Sequence, residues 1–238
     1  MHLSDHLEEL RKRLIISFIA IALFTVVAYF YSAELFRLLM NPLLEVMPAD
    51  SGLIFTSLTE TFFTYLKISL MAGFFAASPV VIYQVWRFSA PGLYAHEKRY
   101  VLPFVFFASI FFIGGALFGY FVVFPFGFKF FMGFATDFIT PMPTVKEYFS
   151  FSVRLLFAFG IVFELPVVTA FLAILGLVKA KTLAAKRKYA ILGSFVVAAI
   201  LTPPDVASQL MMAVPIIMLY EVSIVVAKVC GKKQTEPV

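Results

Sequence analysis

The run that decides the fold lies between residues 148 and 178 and reads YFSFSVRLLFAFGIVFELPVVTAFLAILGLV. It contains only two charged side chains, Arg154 and Glu164. A helix of about 20 mostly apolar residues is enough to cross the hydrocarbon core of a bilayer, so this run is long enough to span it. The sequence therefore predicts a transmembrane helix here, with an acidic residue and Pro166 inside it.

Five further apolar runs give six predicted spans in all. They are residues 14–31, 62–85, 100–124, 189–201 and 206–227, of which 189–201 is short for a full crossing. Of the 238 residues 62% are hydrophobic and 14% are charged, whereas soluble domains have roughly 45–50% apolar and 25% charged residues. We therefore predict an all-α integral membrane protein, with a single domain over residues 1–230 and a polar tail over 231–238.

Basic residues are concentrated on one side of the predicted membrane. Fourteen of the 19 fall there: Arg11, Lys12, Arg13, Arg87, Lys98, Arg99, Lys179, Lys181, Lys186, Arg187, Lys188, Lys228, Lys232 and Lys233. Cytoplasmic loops of membrane proteins carry such an excess. An even number of spans then places both termini in the cytoplasm, and the clusters between apolar runs argue against a nucleic-acid partner.

Hydroxyl and acidic residues mark where several helices begin. Residues 57–60 and 144–147 match the capping box, in which a hydroxyl residue precedes an acid by three positions. Asp205 is placed to cap the sixth span in a similar way. The outer segments 35–44 and 126–138 mix apolar, aromatic and charged residues, which predicts short amphipathic helices, with ordinary loops as the alternative.

The sequence carries no recognisable enzyme motif. It has no Gly-x-Ser-x-Gly nucleophile, no His-Glu-x-x-His metal motif and no glycine-rich phosphate loop. The histidines lie outside the predicted spans, and a single cysteine, Cys230, excludes a disulfide framework. An intramembrane protease would need a nucleophile and a base within the bundle. We therefore predict neither catalysis nor a metal nor a cofactor.

Glu164 is the least expected residue of the predicted spans. A charged residue at the bilayer centre costs about 2.5–3.5 kcal/mol on insertion scales, and such residues usually face a cavity or meet a polar partner. An intramolecular partner or a tolerated protonated acid would explain it without a function. The functional alternative is the proton-coupling carboxylate of a small ion-coupled solute transporter. Transporters usually contain internal repeats, and no second copy of this element is present.

Two cytoplasmic segments carry acids among basic residues. The first is His6-Leu7-Glu8-Glu9-Leu10-Arg11-Lys12-Arg13, which predicts an amphipathic helix. The second runs from Phe88 to Arg99 and has Glu97 as its only acid. A carboxylate accepts two hydrogen bonds from one guanidinium. Glu9 and Glu97 are therefore either binding groups for a basic ligand or local partners of neighbouring bases.

Four motifs together resemble the TatC family, the polytopic receptor component of the twin-arginine protein translocase. They are the segment His6–Arg13, Phe88-x-x-Pro91-x-Leu93-Tyr94-x-x-Glu97, Phe159-Gly160-x-x-Phe163-Glu164-x-Pro166 and Leu201-Thr202-Pro203-Pro204-Asp205. The resemblance implies a glove-like bundle with a concave intramembrane groove. It also implies binding of signal peptides with consecutive arginines and assembly with the single-span proteins TatA and TatB. Folded proteins would cross the inner membrane on the protonmotive force, without nucleotide hydrolysis.

The resemblance also implies roles for individual residues. It assigns the signal-peptide site to five cytoplasmic residues: Glu9, Arg11, Phe88, Leu93 and Glu97. Glu164 would line the groove and meet a polar side chain of a partner helix, while Pro42 and Asp205 match outer-loop positions that are important for function. The inner end of the sixth span, near Glu221, is a further candidate docking edge for a partner helix. Self-association is a further option.

Overall fold

The computed structural model describes residues 3–47, 52–57, 59–89, 101–136, 141–202 and 205–231. These residues form nine α-helices: α1 (Leu3–Phe30), α2 (Ser32–Leu44), α3 (Glu60–Ser89), α4 (Val101–Phe118), α5 (Phe124–Met132), α6 (Val145–Ile174), α7 (Ala180–Ala185), α8 (Arg187–Leu201) and α9 (Val206–Cys230). A π-helical segment, Gly119–Val123, joins α4 to α5. The described chain is thus the all-α protein that its composition predicts.

Five helical stretches are long and apolar enough to cross a membrane. They are His6–Phe30, Glu60–Phe88, Val101–Met132, Val145–Ile174 and Val206–Cys230. The predicted fifth span corresponds to α8, which has 15 residues. At 1.5 Å per residue it is about 22 Å long, shorter than the hydrocarbon core of about 30 Å. A crossing by α8 therefore requires a locally thinner bilayer, as the short run in the sequence predicts.

Two helices extend beyond the predicted boundaries. α1 begins at Leu3, because the amphipathic segment continues into the first span as one helix. The predicted outer helix over 126–138 is present as α5, which begins at Phe124, ends at Met132 and continues α4 through the π-helical segment. Pro125 lies in the first turn of α5, where its missing N–H is tolerated. The other predicted outer helix is present as α2.

The membrane-spanning helices pack as a row with two ends. The extensive contacts join α1 to α3, α3 to α4, α4 to α6, α6 to α9 and α9 to α8, while α2 lies against α3 and α5. α1 stands at one end and leaves large apolar side chains exposed, among them Phe30 at 80%. Lipid solvates such side chains, whereas water does not. The open row is consistent with the concave shape that the resemblance implies.

Glycine residues allow two neighbouring helix pairs to approach closely. A Cβ atom on Gly73 of α3 would lie 2.7 Å from the Cα atom of Thr25 in α1. One on Gly115 of α4 would lie 2.8 Å from the Cβ atom of Phe163 in α6. Small residues serve this purpose in membrane helices, where close backbone packing replaces the hydrophobic driving force. These contacts fix the positions of α1 and α6, which carry the candidate functional residues.

Two of the three predicted caps are confirmed. The Thr144 hydroxyl accepts a hydrogen bond from the Glu147 amide at 3.1 Å, and the Asp205 carboxylate accepts one from the Ser208 amide at 2.7 Å. The capping box over 57–60 differs from its prediction, because the buried Glu60 carboxylate accepts from the Thr56 amide at 2.7 Å and from the Lys146 amide at 2.7 Å. We call these three residues the Glu60 clamp. It ties the start of α3 to the start of α6.

Candidate functional site

The N-terminal end of α1 and the C-terminal end of α3 meet through two side-chain contacts. The rings of His6 and Phe88 are stacked, with centroids 4.4 Å apart and planes inclined by 25°. About two helical turns further along α1, the Arg13 Nη1 atom donates to Gln84 Oε1 at 3.3 Å. The helices run antiparallel, and Gln84 precedes Phe88 by one turn. The two contacts therefore define a short face, which we call the α1–α3 face, consisting of His6, Glu9, Arg13, Gln84 and Phe88.

Glu9 lies between these two contacts and is bound to Arg13. Arg13 Nη2 donates to Glu9 Oε1 at 3.1 Å, and the two side chains are only 15% and 20% exposed. This pair has the glutamate four residues before the arginine, the favourable order on a helix. The sequence left open whether Glu9 binds a ligand or a local base. In the structure Glu9 has a local base, and that contact engages only one of its two oxygen atoms.

The structure describes two of the other four residues predicted for the signal-peptide site. Arg11 is exposed on α1, and Phe88 belongs to the α1–α3 face. Leu93 and Glu97 lie outside the described residues. Sequence reasoning missed His6, Arg13 and Gln84 as members of one face. For Gln84 a signal existed, because it is a polar residue in an apolar run and precedes Phe88 by four positions.

Glu164 lies in the second half of α6, inside a candidate membrane span. Its Oε1 atom is buried and has no hydrogen-bond partner among the residues that the structure describes. Ile161 and Val168, one turn before and after it, are both exposed. Phe157, two turns before Glu164, packs on Phe74 of α3 with ring centroids 5.1 Å apart. The described residues thus provide no partner for this oxygen atom, which lies beside an exposed apolar face.

Pro42 lies inside α2 and is buried. Proline has no amide hydrogen, so the Leu38 carbonyl four residues earlier lacks its helical donor. The Tyr120 hydroxyl of the π-helical segment donates to that carbonyl at 2.5 Å. The Tyr148 hydroxyl of α6 donates to the neighbouring carbonyl of Leu39. Pro42 therefore frees an acceptor through which α2 is fastened to the π-helical segment, beside the bond from Tyr148 of α6.

Asp205 directly precedes α9, and Glu221 lies in the second half of this helix. Both Asp205 oxygen atoms bind Ser208, one through its amide and one through its hydroxyl. Both bonds lower the pKa of Asp205 below its usual value, and the bond from the hydroxyl has the larger effect. The Glu221 Oε1 and Oε2 atoms accept hydrogen bonds from Arg187 Nε and Nη2 at 2.7 and 2.9 Å. Glu221 therefore fastens α8 to α9 and already has a bidentate partner.

Comparison with known proteins gives one consistent result. The family model described as "Sec-independent protein translocase protein (TatC)" matches residues 5–215. The TatC protein of Desulforapulum autotrophicum is 52% identical over 231 residues, which cover 97% of this chain and 86% of the relative. That of Aquifex aeolicus is 44% identical over 238 residues, which cover 99% of this chain and 98% of the relative.

A solved structure agrees with these relatives. The crystal structure described as that of the twin-arginine translocase receptor TatC superposes with a TM-score of 0.83 at 44% identity. The superposition covers 94% of this chain and 99% of the other. The small-solute transporter is therefore not favoured. The chain belongs to the TatC family of Sec-independent protein translocase proteins.

Proposed function

We propose that the protein is the signal-peptide receptor of a twin-arginine translocase in the cytoplasmic membrane of a bacterium. The observation that carries the proposal is the position of Glu9. Its carboxylate is held by Arg13 on the α1–α3 face, to which Phe88 also belongs, at the end of the helices where the basic residues collect. The excess of basic residues on this side supports a cytoplasmic location for both termini and for the site.

The chemistry of the site suits consecutive arginines. A guanidinium is a planar fork that matches a carboxylate, whereas a lysine ammonium is a compact point charge. Glu9 would receive one arginine, and Glu97, on the segment that follows Phe88, the other. Phe88 and Leu93 would form the apolar wall of the site, and Arg11 would border it. Acids on a mainly basic surface give selectivity, because removing one partner of a desolvated charge pair costs roughly 2–5 kcal/mol.

Glu164 is our candidate contact for a partner helix. An unpaired carboxylate inside a span, flanked by the exposed Ile161 and Val168, fits a single membrane helix that brings a polar side chain to the same depth. We assign the single-span partners TatA and TatB to this role. Pro42 and Asp205 would support assembly indirectly, since one fastens α2 and the other caps α9. Transport would draw on the protonmotive force.

Peptide binding tests the receptor function directly. A fluorescently labelled signal peptide with an arginine pair is titrated against detergent-purified protein, beside the same peptide with a lysine pair. We expect arginine-selective binding that Glu97→Ala abolishes and Glu9→Gln weakens by at least tenfold, since either change leaves a guanidinium without its carboxylate. Glu8→Gln is the matched control, because it removes the same charge from an exposed neighbouring position. Equal binding of both peptides by folded protein would overturn the proposal.

A further inference from the structure

We infer that Arg13 is a positioning residue that holds Glu9 for the incoming guanidinium and so sets the preference for arginine over lysine. The inference rests on the proposed receptor function. It goes beyond that function because Arg13 is itself a base and lies on the same short face as the acid that receives a basic ligand.

The contacts of Arg13 form a bridge between two helices. Through Nη2 it holds Glu9 of its own helix, and through Nη1 it holds the side chain of Gln84 in α3. Gln84 is only 7% exposed, which makes it a fixed anchor point. The Ser17 hydroxyl bonds to the Arg13 carbonyl at 3.0 Å and so adds a backbone contact at the same turn of α1. Arg13 therefore ties Glu9 to α3, although the described residues show no direct contact between Glu9 and that helix.

The same contacts argue against an arginine that merely occupies the site until a ligand displaces it. Arg13 is mostly buried, and its Nε atom is enclosed without an acceptor among the described residues. Leaving the site would break the bond to Gln84 as well as the bond to Glu9. Arg13 also engages only the Oε1 atom of Glu9. A carboxylate has about four acceptor positions, and the bond to Arg13 occupies only one of them, which leaves room for a ligand beside Arg13.

Holding Glu9 has two consequences for recognition. Its side chain no longer needs to be ordered when the ligand binds, and ordering a side chain of this kind lowers affinity by roughly three- to tenfold. The positive charge of Arg13 also offsets the attraction of Glu9 for any cation. A lysine, which offers only charge, then gains little, whereas an arginine still gains from the geometry of its two parallel hydrogen bonds.

The experiment compares two variants that each remove one positive charge from the same helical turn. Arg13→Gln removes the bridge, whereas Lys12→Gln changes an exposed neighbour. Each purified full-length protein is titrated with the arginine-pair and the lysine-pair peptide. We expect Arg13→Gln to weaken arginine-pair binding by roughly three- to tenfold and to leave lysine-pair binding unchanged, so that the selectivity ratio falls. Lys12→Gln should keep the ratio of the unmodified protein.

A second variant keeps the charge of Arg13 and removes only its anchor. Gln84→Leu should lower the selectivity ratio in the same direction, and it tests the inference even if Arg13→Gln fails to fold. Loss of folded protein lowers the number of binding sites but leaves the ratio of the two dissociation constants unchanged. An unchanged ratio in Arg13→Gln or in Gln84→Leu, or tighter arginine-pair binding, would overturn the role of Arg13. Absence of selectivity in the unmodified protein would instead overturn the receptor function.

Discussion

Glu60 and Glu164 are both glutamates of membrane-spanning helices, but their surroundings are opposite. Glu60, at the outer start of α3, accepts hydrogen bonds from the Thr56 amide and hydroxyl and from the Lys146 amide. Glu164, inside α6, has a buried Oε1 atom that meets no donor in the described part of the chain. Removal of a carboxylate from water is unfavourable unless hydrogen bonds compensate for it. The compensation is present within the fold for Glu60 and absent from it for Glu164.

This difference separates an acid with a structural role from one for which we propose a role in assembly. The Glu60 clamp satisfies backbone donors of two segments and has no need of a partner molecule. Glu164 carries an unfavourable desolvation that only a further molecule, water or protonation can relieve. We therefore expect Glu164 to matter for assembly and Glu60 to matter for stability. Three substitutions test this distinction, in order of decreasing expected effect.

The largest effect should follow from Glu164→Ala. If this acid meets a polar side chain of a partner helix, copurification of TatA and TatB should fall roughly tenfold, because an intramembrane hydrogen bond is lost. Signal-peptide binding and the thermal midpoint in detergent should stay unchanged or rise, since an unfavourable buried group is removed. Glu164→Gln should retain part of the assembly. Unaltered copurification together with unaltered export would show that Glu164 does not contact a partner.

A smaller effect, on stability alone, should follow from Glu60→Gln. The amide group provides one acceptor oxygen atom where the carboxylate provides two, so the Thr56 or the Lys146 amide loses its acceptor. We expect the thermal midpoint to fall by roughly 5 °C, with signal-peptide affinity unchanged. Glu147→Gln serves as the control, because Glu147 is an exposed acid in the same turn as Lys146. If the two variants were equally stable, the clamp would contribute nothing.

The smallest effect should come from Asp205, a third satisfied carboxylate, but one at the surface. Asp205→Ala removes the cap of α9 and should cost about 1 kcal/mol, equivalent to a fall of about 2–4 °C in the midpoint. The pKa of Asp205 is lowered by its bonds to Ser208. Its contribution is therefore complete above its unfolded pKa of about 3.9 and is lost as the pH falls through the lower folded value.

Thermal melts across a pH series measure this dependence. The difference in midpoint between the unmodified protein and Asp205→Ala should be constant between pH 5 and 7 and should shrink below about pH 4. Asp205→Asn keeps an acceptor for the Ser208 amide without the charge, and it should lose less stability than alanine at neutral pH. A difference that did not change with pH would mean that the charge of Asp205 does not contribute to the cap.

Several parts of the fold could be predicted because their causes are local. Apolar runs of membrane length predicted the helical bundle, and a hydroxyl or acidic residue at the right spacing predicted the caps at Thr144 and Asp205. The third predicted cap differed because Glu60 reaches Lys146, 86 residues away. The predicted outer helix over 126–138 is present as α5, but the apolar pattern could not show that the third span continues into it through a π-helical segment.

The sequence by itself determined that this chain is a helical membrane protein and that its motifs are those of the TatC family. Only the tertiary structure decided which polar groups are paired. Arg13 meets Gln84 71 residues away, and Tyr120 meets the Leu38 carbonyl 82 residues away. Hydropathy and capping depend on neighbours in the chain, whereas these hydrogen bonds depend on how two helices are set against each other. The relative position of two helices depends on close contacts between them, such as that of Gly73 in α3 with Thr25 in α1. No single segment of the sequence contains both partners of such a contact.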